Sequence, residues 1–298
     1  MNLVEDNAGA TPIHIPAALG KCAITGAAGY VGSAIRSYFV SQGWEIVELG
    51  RRRSSQAANH IYYDLTSDPG SIPWEGIDAL VHCAYDFHLT NWEDVQRVNV
   101  EGSIRLLQTA KARGVAHGVF ISSLSCFEGC RSLYGKAKLL IEAEALRLGF
   151  GVVRPGLVWG DNPGGMMGSL MRVAAKGRVI PLIGDGSSPQ YLVREEDLAQ
   201  LVFELCQRIP PSRAISAANG EQNSLRSLLS KIAVKHGRRP FFIPVPWRLI
   251  LAGLKTLEFL HLPAPFRSDS LIGFIFQNPA PDFRLPELPE LAFRPFEA

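Results

Sequence analysis

Residues 24–35 read ITGAAGYVGSAI, and this stretch decides the fold. The run before it, residues 21–24 (KCAI), is short and mostly apolar, as in a buried parallel strand. Gly26 permits a tight turn, Gly29 lets backbone N–H groups approach a pyrophosphate, and Gly32 lets the next helix pack closely. Apolar residues then recur at helical spacing, at Val31, Ile35, Tyr38 and Phe39. The stretch therefore predicts a strand, a phosphate-binding turn and a helix that together bind a dinucleotide.

A second motif, YGKAK at residues 134–138, supplies groups for acid/base chemistry. Tyr134 and Lys138 are four residues apart, so on a helix they share one face. An ammonium group near a phenol favours the phenolate, and we expect Lys138 to lower the pKa of Tyr134 toward the working pH. Ser123 follows an apolar strand and is the candidate for a hydrogen bond to the substrate oxygen, with Ser125 in reserve.

The Gly-x-x-Gly-x-x-Gly spacing and Tyr-x-x-x-Lys together resemble the short-chain dehydrogenase/reductase superfamily. Further segments resemble its extended branch, the sugar-nucleotide epimerase, dehydratase and reductase group. These segments are DL at 64–65, VHCAY at 81–85, NVEGS at 99–103, VRPGLVWG at 153–160, GDG at 184–186 and DLA at 197–199. The resemblance implies an α/β fold, a Rossmann-type doubly wound parallel sheet with a smaller C-terminal substrate lobe.

The resemblance also implies which residues contact the dinucleotide. They lie in the Gly-rich turn, at strand ends and on two helices. They are Gly26, Ala28, Gly29, Tyr30, Val31, Gly32, Asp64, Leu65, Cys83, Ala84, Tyr85, Asn99, Tyr134, Lys138 and Pro155. Lys138 is expected to hold the nicotinamide ribose as well.

The end of the second predicted strand indicates which dinucleotide is used. NAD-binding proteins usually place a carboxylate there for the ribose 2′-OH, whereas a 2′-phosphate requires a guanidinium instead. Gly50 stands at this position, and Arg51 and Arg52 follow it. These residues predict NADP, with NAD possible. A strand register shifted by two would place Glu48 there, and the arginines could then simply be solvated.

The organisation of the chain agrees with an α/β fold. We expect a flexible N-terminal tail over residues 1–20, a dinucleotide-binding domain over 21–160, and a mainly substrate-binding lobe over 161–298 with segments that return to the first domain. The predicted strands cover residues 21–25, 45–49, 79–84, 117–122 and 150–154.

Composition excludes several classes of protein. The net charge of +2 gives no case for nucleic-acid binding. The five cysteines fit neither a disulfide framework nor a metal site, so a cytoplasmic location is expected. Neither a signal peptide nor a transmembrane segment is predicted. Residues 247–262 form the most apolar segment, which is expected to pack as a helix on the lobe or, alternatively, to contact a membrane surface or a partner.

The substrate side departs from the extended branch. Members that bind a nucleotide diphosphate often carry an Arg four residues after Gly-Asp-Gly, where this chain has Gln190. Arg194 and Arg267 could replace it, and we favour Arg267, which could instead be a structural residue paired with Asp269. Asn162 is a further candidate for substrate binding, or a turn former. Lipid-linked sugars, steroids and flavonoid-like ketones therefore remain possible substrates.

These observations predict an NADPH-dependent oxidoreductase that reduces a keto group on a nucleotide-activated sugar, with Tyr134 as proton donor. Sequence SLS at residues 123–125 disfavours a dehydratase, whose relatives carry Thr-Asp-Glu there. The alternatives are an NAD-dependent nucleotide-sugar 4-epimerase and a non-catalytic dinucleotide-binding sensor or structural subunit. The resemblance also implies a homodimer formed by the helices that carry Asn99 and Tyr134. No metal is expected.

Overall fold

The computed structural model describes residues 20–264, 266–286 and 288–297. The strands are β1 (Lys21–Thr25), β2 (Glu45–Gly50), β3 (Asn59–Tyr62), β4 (Ala79–His82), β5 (His117–Ile121), β6 (Gly151–Pro155), β7 (Leu157–Trp159), β8 (Val179–Ile183), β9 (Pro189–Gln190), β10 (Leu192–Arg194), β11 (Ala214–Ala217), β12 (Asn223–Ser224) and β13 (Phe241–Val245). The α-helices are α1 (Tyr30–Ser41), α2 (Trp92–Asp94), α3 (Glu101–Ala112), α4 (Leu133–Arg147), α5 (Gly165–Lys176), α6 (Glu195–Cys206), α7 (Leu225–Lys235), α8 (Trp247–Phe259) and α9 (Ser268–Ile275). A 3₁₀ turn covers Pro69–Ser71, and a π-helix, Val95–Val100, joins α2 to α3. Except for Gly20, the predicted tail lies outside the described residues.

Among the described residues, seven parallel strands form the main sheet in the order β3-β2-β1-β4-β5-β6-β11. The strand order reverses between β1 and β4, and this reversal opens a crevice at the carboxyl ends of the strands. The predicted doubly wound α/β fold is therefore confirmed. All five predicted strands are present, with ends within two residues of those expected.

Apolar side chains cover both faces of the sheet. Helices α1 and α6 pack on one face, where the Phe39 and Phe203 rings meet edge to face at 5.1 Å and Trp44 joins them. The other face packs against α3 and α4 through residues such as Leu106 and Ile141, both fully buried. The helical stripe expected after the Gly-rich turn packs on this face, with Ile35 and Phe39 fully buried and Val31 and Tyr38 partly buried against the same cluster.

A third apolar cluster lies in the C-terminal part of the chain. Strands β8 and β13 pair in parallel, and Ile180 and Leu182 of β8 pack with Leu228 and Ile232 of α7. Helix α9 packs against α4 and so returns the chain to the main sheet. In the described part of the chain, no helix has the length and apolar character needed to cross a membrane. The five cysteines are free thiols.

Two glycines offer a matched test of the Gly-rich turn. A Cβ atom at Gly32 would lie 2.2 Å from the Gly26 carbonyl oxygen, whereas one at Gly253, on the exposed side of α8, would meet nothing within 4 Å. We expect Gly32→Ala to lower the free energy of unfolding by about 1–3 kcal/mol because the backbone must shift. Gly253→Ala should raise it by about 1 kcal/mol through helix propensity. Urea unfolding measures both changes, and similar values for the two variants would contradict the close packing of α1.

Candidate active site

The Gly-rich turn leaves a helix N-terminus open to solvent. Gly26 adopts a φ of +69°, and its carbonyl oxygen accepts the Gly29 N–H at 2.9 Å. Helix α1 starts at Tyr30, and no side chain in the described part of the chain caps its first turn. Its first N–H groups are therefore available to an anion, as a dinucleotide pyrophosphate requires. The backbone at Gly32 packs closely against the Gly26 carbonyl, so the start of α1 lies directly beside the turn that would hold the pyrophosphate.

A buried polar chain fixes the strand ends beside this turn. The Thr25 hydroxyl accepts hydrogen bonds from the N–H groups of Cys83 (3.1 Å) and Ala84 (3.2 Å), and it lies 2.7 Å from His82 Nδ1. His82 Nε2 lies 2.8 Å from the Ser103 hydroxyl. Burial lowers the pKa of His82 to about 3, so the ring is neutral and one ring nitrogen donates while the other accepts. Sequence reasoning did not identify this network, because its members are far apart along the chain.

Among the residues that the structure describes, no free carboxylate lies at the end of β2. Gly50 is the last residue of the strand, and Glu48 is buried two residues earlier. Ser54 donates to the Glu48 carboxylate from its N–H (3.1 Å) and its hydroxyl (2.5 Å), and Arg36 forms an ion pair with it at 3.5 Å. The Glu48 carboxylate therefore binds Ser54 and Arg36 inside the protein. It does not lie at the position where a ribose 2′-OH would be held.

Three arginines follow Gly50 and differ in what they contact. Arg51 lies 3.6 Å from the Asp86 carboxylate, and 58% of its side chain is exposed. Arg52 is exposed. Arg53 donates to the Ala57 carbonyl at 2.9 Å. Arg51 and Arg52 are thus the guanidinium groups that an anion at the end of β2 could recruit.

Asp64 and Leu65, which the resemblance assigns to the dinucleotide, lie in a tight turn after β3. The Asp64 carboxylate accepts the N–H and the hydroxyl of Thr66 at 2.8 and 2.6 Å, and these bonds help to lower its pKa. At Gly102, a Cβ atom would lie 2.2 Å from the Leu65 carbonyl oxygen, so α3 packs directly on this turn. Asp64 and Leu65 therefore directly follow the third strand of the chain.

Asn99 lies in the π-helix, fully buried, and its amide is already engaged. It accepts the Asp86 N–H at 2.7 Å and donates to the Asp86 carbonyl at 3.0 Å. These two bonds hold the loop that follows β4. We therefore infer that Asn99 acts on a dinucleotide through this loop rather than by direct contact. π-Helical turns are often found at functional sites.

The three candidate catalytic residues come together at the carboxyl end of β5. Tyr134 is the second residue of α4, and the Ser123 hydroxyl lies close enough to its phenol to lower the pKa of that group. Lys138 is buried one turn further along α4 and donates from Nζ to the Ile121 carbonyl at 2.7 Å. Pro155, at the end of β6, accepts the Leu124 N–H at 3.0 Å and fixes the serine loop.

Burial sets the charge of these groups. It raises the pKa of Tyr134 well above its ordinary value, and the neighbouring Ser123 hydroxyl opposes this only in part. It lowers the pKa of Lys138 to about 8. The expectation that Lys138 lowers the pKa of Tyr134 is thus wrong for this structure, because the ammonium is bound to a carbonyl and lies 5.6 Å from the centre of the phenol ring. A neutral phenol is a proton donor.

The low pKa of Lys138 predicts a pH dependence of dinucleotide binding. If the ammonium holds the nicotinamide ribose, the dissociation constant for NADPH should be steady below about pH 8 and rise by up to about tenfold per pH unit above it. Fluorescence titrations across this range measure the effect. Lys136→Gln removes an exposed neighbouring charge and should keep the same profile. Unchanged affinity up to pH 10 would contradict the role of Lys138.

A cavity of about 590 Å³ lies over Ser123 and Tyr134. The Tyr85 and Phe87 rings lie 4.9 and 5.6 Å from the Tyr134 ring. Much of the remaining lining is apolar, and it includes Leu89, Leu133, Leu157, Met166, Phe266 and Phe274. The cavity is large enough for a ligand of metabolite size.

The candidate substrate residues divide into two groups. Ser125, Gln190 and Arg267 line the cavity, and Arg172, which sequence reasoning missed, lines it as well. Asn162 is exposed and lies outside the lining, because it belongs to the bend that precedes α5. The structure therefore does not bring Asn162 to this site.

Arg194 and Arg267 both form ion pairs, and the partner of Arg267 is not the expected one. Arg194 pairs with Glu196 at 2.6 Å. Arg267 does not pair with Asp269. Its Nε lies 3.1 Å from the Glu258 carboxylate of α8, so its charge is largely balanced.

Asp269 instead caps the catalytic helix. Its carboxylate accepts the N–H groups of Leu133 at 2.7 Å and Tyr134 at 3.0 Å, across more than a hundred residues of sequence. Ser132, the N-cap, accepts the Gly135 N–H at 3.0 Å. Helix α9 thereby fixes the start of α4, where Tyr134 lies. The Ser132 cap could have been found from the sequence, but the Asp269 contact could not.

Removal of the Asp269 charge should therefore affect catalysis as well as stability. We expect Asp269→Asn to lower the free energy of unfolding by about 1–2 kcal/mol and kcat by about tenfold, with little change in the affinity for NADPH. Asp282→Asn, which removes an exposed carboxylate paired with Arg284, is the matched control. Equal effects of the two substitutions on kcat would show that the cap does not position Tyr134.

Comparison with known proteins places this site in a family. The model of the NAD dependent epimerase/dehydratase family matches residues 22–218. A UDP-glucose 4-epimerase of Vibrio cholerae is 21% identical in an alignment that covers 75% of this chain and 78% of that protein. The chloroplastic divinyl chlorophyllide a 8-vinyl-reductase of Zea mays is 25% identical in an alignment that covers 86% of this chain and 69% of that protein.

Solved structures share the fold. The structure of MoeE5 in complex with UDP-glucose and NAD superposes with a TM-score of 0.65 at 23% identity, covering 76% of this chain and 85% of that one. Within the described residues, no group of three or more His, Cys, Asp or Glu side chains could hold a metal ion. The family match spans the Gly-rich turn, the Ser123, Tyr134 and Lys138 set and the returning strand β11. The chain belongs to the NAD dependent epimerase/dehydratase family and is an NAD(P)-dependent enzyme of the extended short-chain dehydrogenase/reductase type.

Proposed function

We propose that the chain is an NADPH-dependent reductase that converts a ketone into an alcohol. Tyr134 donates its phenolic proton to the carbonyl oxygen, and the Ser123 hydroxyl orients that oxygen. Reduced nicotinamide, when bound, supplies the hydride that the carbonyl carbon gains. Lys138 lies behind Tyr134 and would hold the ribose. The raised pKa of Tyr134 supports this direction, because the phenol carries its proton at neutral pH.

The observation that carries the choice of reductase is the end of β2. Gly50 has no side chain that would fill this position. The Glu48 carboxylate is already bound by Ser54 and Arg36. Arg51 and Arg52 follow Gly50 and are exposed. This arrangement favours a 2′-phosphate over a ribose 2′-OH. A reductase exchanges its cofactor at each turnover, whereas a 4-epimerase retains NAD through oxidation and reduction of the same sugar.

Parallel fluorescence titrations of the nucleotide-free protein with NADPH and NADH test this proposal. We expect NADPH to bind at least tenfold more tightly, about 1.4 kcal/mol. Equal or tighter binding of NADH would overturn the reductase and favour the epimerase. If neither NADPH nor NADH bound, both enzyme proposals would be overturned.

The cavity bears on the substrate class. Gln190 stands where a diphosphate-binding Arg would be expected, and Glu258 balances the charge of Arg267. The aromatic lining near Tyr134 favours an apolar group beside the reacting carbonyl. We therefore propose an amphiphilic ketone with a bulky apolar part as the substrate. A keto group on a nucleotide-activated sugar is the second candidate, supported by Arg172 and Arg267 in the lining.

Oxidation of NADPH, followed by absorbance, separates these two classes. We expect turnover with a long-chain aliphatic or steroid ketone and little turnover with UDP-4-keto-6-deoxyglucose. The reverse result would assign the nucleotide sugar and give Arg172 and Arg267 the diphosphate. Arg172→Gln then serves as the check, since it should raise KM only for the charged substrate.

A further inference from the structure

Helix α8 and the turn after it present an unusual surface. Arg248, Ala252, Lys255 and Phe259 occur at successive helical turns and are all exposed. Leu249 and Leu260 lie on the adjoining stripe, with 66% and 55% of their surface exposed, and Phe259 is 83% exposed. Leu262 is 51% exposed in the turn that follows. We call these residues, Arg248, Leu249, Lys255, Phe259, Leu260 and Leu262, the α8 surface.

The paired strands β8 and β13 also expose apolar side chains next to cations. Phe241 lies opposite Val179 in the register and Ile243 opposite Pro181, and all four side chains are exposed on one face. Arg178 and Arg239 are exposed beside the starts of β8 and β13. Apolar side chains next to exposed cations thus occur on both elements of this lobe.

The segment that contains α8 carries an excess of positive charge. Residues 235–262 contain five Lys or Arg side chains and a single carboxylate, Glu258. That carboxylate is engaged by Arg267 and by the N–H and hydroxyl of Ser268. Within the described residues, Arg248 and Lys255 form no ion pair with a carboxylate. The α8 surface is therefore both apolar and positively charged.

We propose that the α8 surface docks the enzyme on an anionic lipid bilayer. An amphipathic helix with basic and large apolar residues lies in the membrane interface, where the apolar side chains enter the acyl boundary and the cations meet lipid phosphates. A second copy of the chain fits this surface less well, because a two-fold contact would bring Arg248 and Lys255 of both copies onto one patch without carboxylate partners. The homodimer implied by family resemblance would use α3 and α4 and leave α8 free.

The cavity lies next to the α8 surface, so docking would bring the cavity close to the bilayer. Glu258 and Arg267 line the cavity, and Phe259 is adjacent to Glu258 on α8. The α8 surface therefore begins at the rim of the cavity. A docked enzyme would hold this rim close to the bilayer, from which an amphiphilic ketone could enter.

Co-sedimentation of the full chain with vesicles tests the docking without any substrate. We expect binding to equimolar phosphatidylcholine and phosphatidylglycerol vesicles, weaker binding at high salt, and little binding to phosphatidylcholine alone. Leu249→Ser with Phe259→Ser should abolish binding. Arg248→Gln with Lys255→Gln should weaken it by roughly fivefold or more per removed charge.

Matched controls alter the same residue types elsewhere. Ile209→Ser changes a side chain that is 94% exposed, and Lys111→Gln with Arg113→Gln removes two exposed cations at the C-terminal end of α3. Both variants should bind vesicles as the parent protein does. Equal binding to neutral vesicles, no binding, or equal loss in the controls would overturn the proposal. So would light scattering that shows a dimer dispersed by Leu249→Ser with Phe259→Ser. The NADPH titration is independent, so a failure of docking leaves the proposed reductase untouched.

Discussion

Replacement of Tyr134 by Phe is expected to lower kcat for ketone reduction by about 10³-fold, a typical loss for a general acid. The substitution removes only the hydroxyl that the Ser123 side chain contacts, and it keeps the ring that packs on Tyr85 and Phe87. The Lys138 ammonium keeps its bond to the Ile121 carbonyl. The dissociation constant for NADPH should therefore change by less than about threefold, and single-turnover oxidation of NADPH with saturating ketone measures the loss.

Tyr191→Phe is the control for this prediction. Tyr191 also lines the cavity, but its ring packs against Phe283 at 4.7 Å rather than against the catalytic residues. Its hydroxyl should contribute to substrate affinity at most, so kcat should stay within about threefold of the parent value. If the two variants lost activity equally, the proton would come from elsewhere and the proposed role of Tyr134 would be wrong.

The parts of the site that were predictable from the sequence depend on residues close together along the chain. The turn at Gly26 and the Tyr134 and Lys138 pair follow from local spacing, and the structure places them as the fold requires. Strand β3 was missed because its residues, NHIY, are only partly buried at the sheet edge and lack an apolar run. Strand β11 was missed because it joins the sheet only after the chain has passed through α5 and α6.

Contacts over long sequence separations and degrees of burial could not be predicted in this way. Asp269 caps α4 from the far end of the chain, and a carboxylate near Arg267 in sequence gave no sign of that use. The pKa of Tyr134 was misjudged because spacing reveals the neighbouring ammonium but not the desolvation of both groups. Spacing therefore predicts which groups meet, and packing decides their charge.

Cofactor choice should be reversible by a change at the end of β2. A Cβ at Gly50 would have the Arg52 carbonyl as its nearest contact, at an ordinary 3.7 Å, so an aspartate fits there without strain. Its carboxylate would accept the ribose 2′-OH of NADH and repel a 2′-phosphate. Together with Arg51→Gln, which removes a phosphate-binding charge, Gly50→Asp should shift the ratio of the NADPH and NADH dissociation constants by about 100-fold, or about 2.7 kcal/mol.

Arg53→Gln separates this effect from a general loss of positive charge. The Arg53 guanidinium points to the carbonyls of Ala57 and Ala58, at 2.9 and 3.5 Å, so its removal lowers the charge of the loop equally without removing a phosphate ligand. The ratio of dissociation constants should then change by less than about threefold, and by less still at high salt. A shift as large as that of the Gly50→Asp and Arg51→Gln variant would mean that the loop attracts NADPH only through its overall charge. In that case the 2′-phosphate would have no defined site at the end of β2.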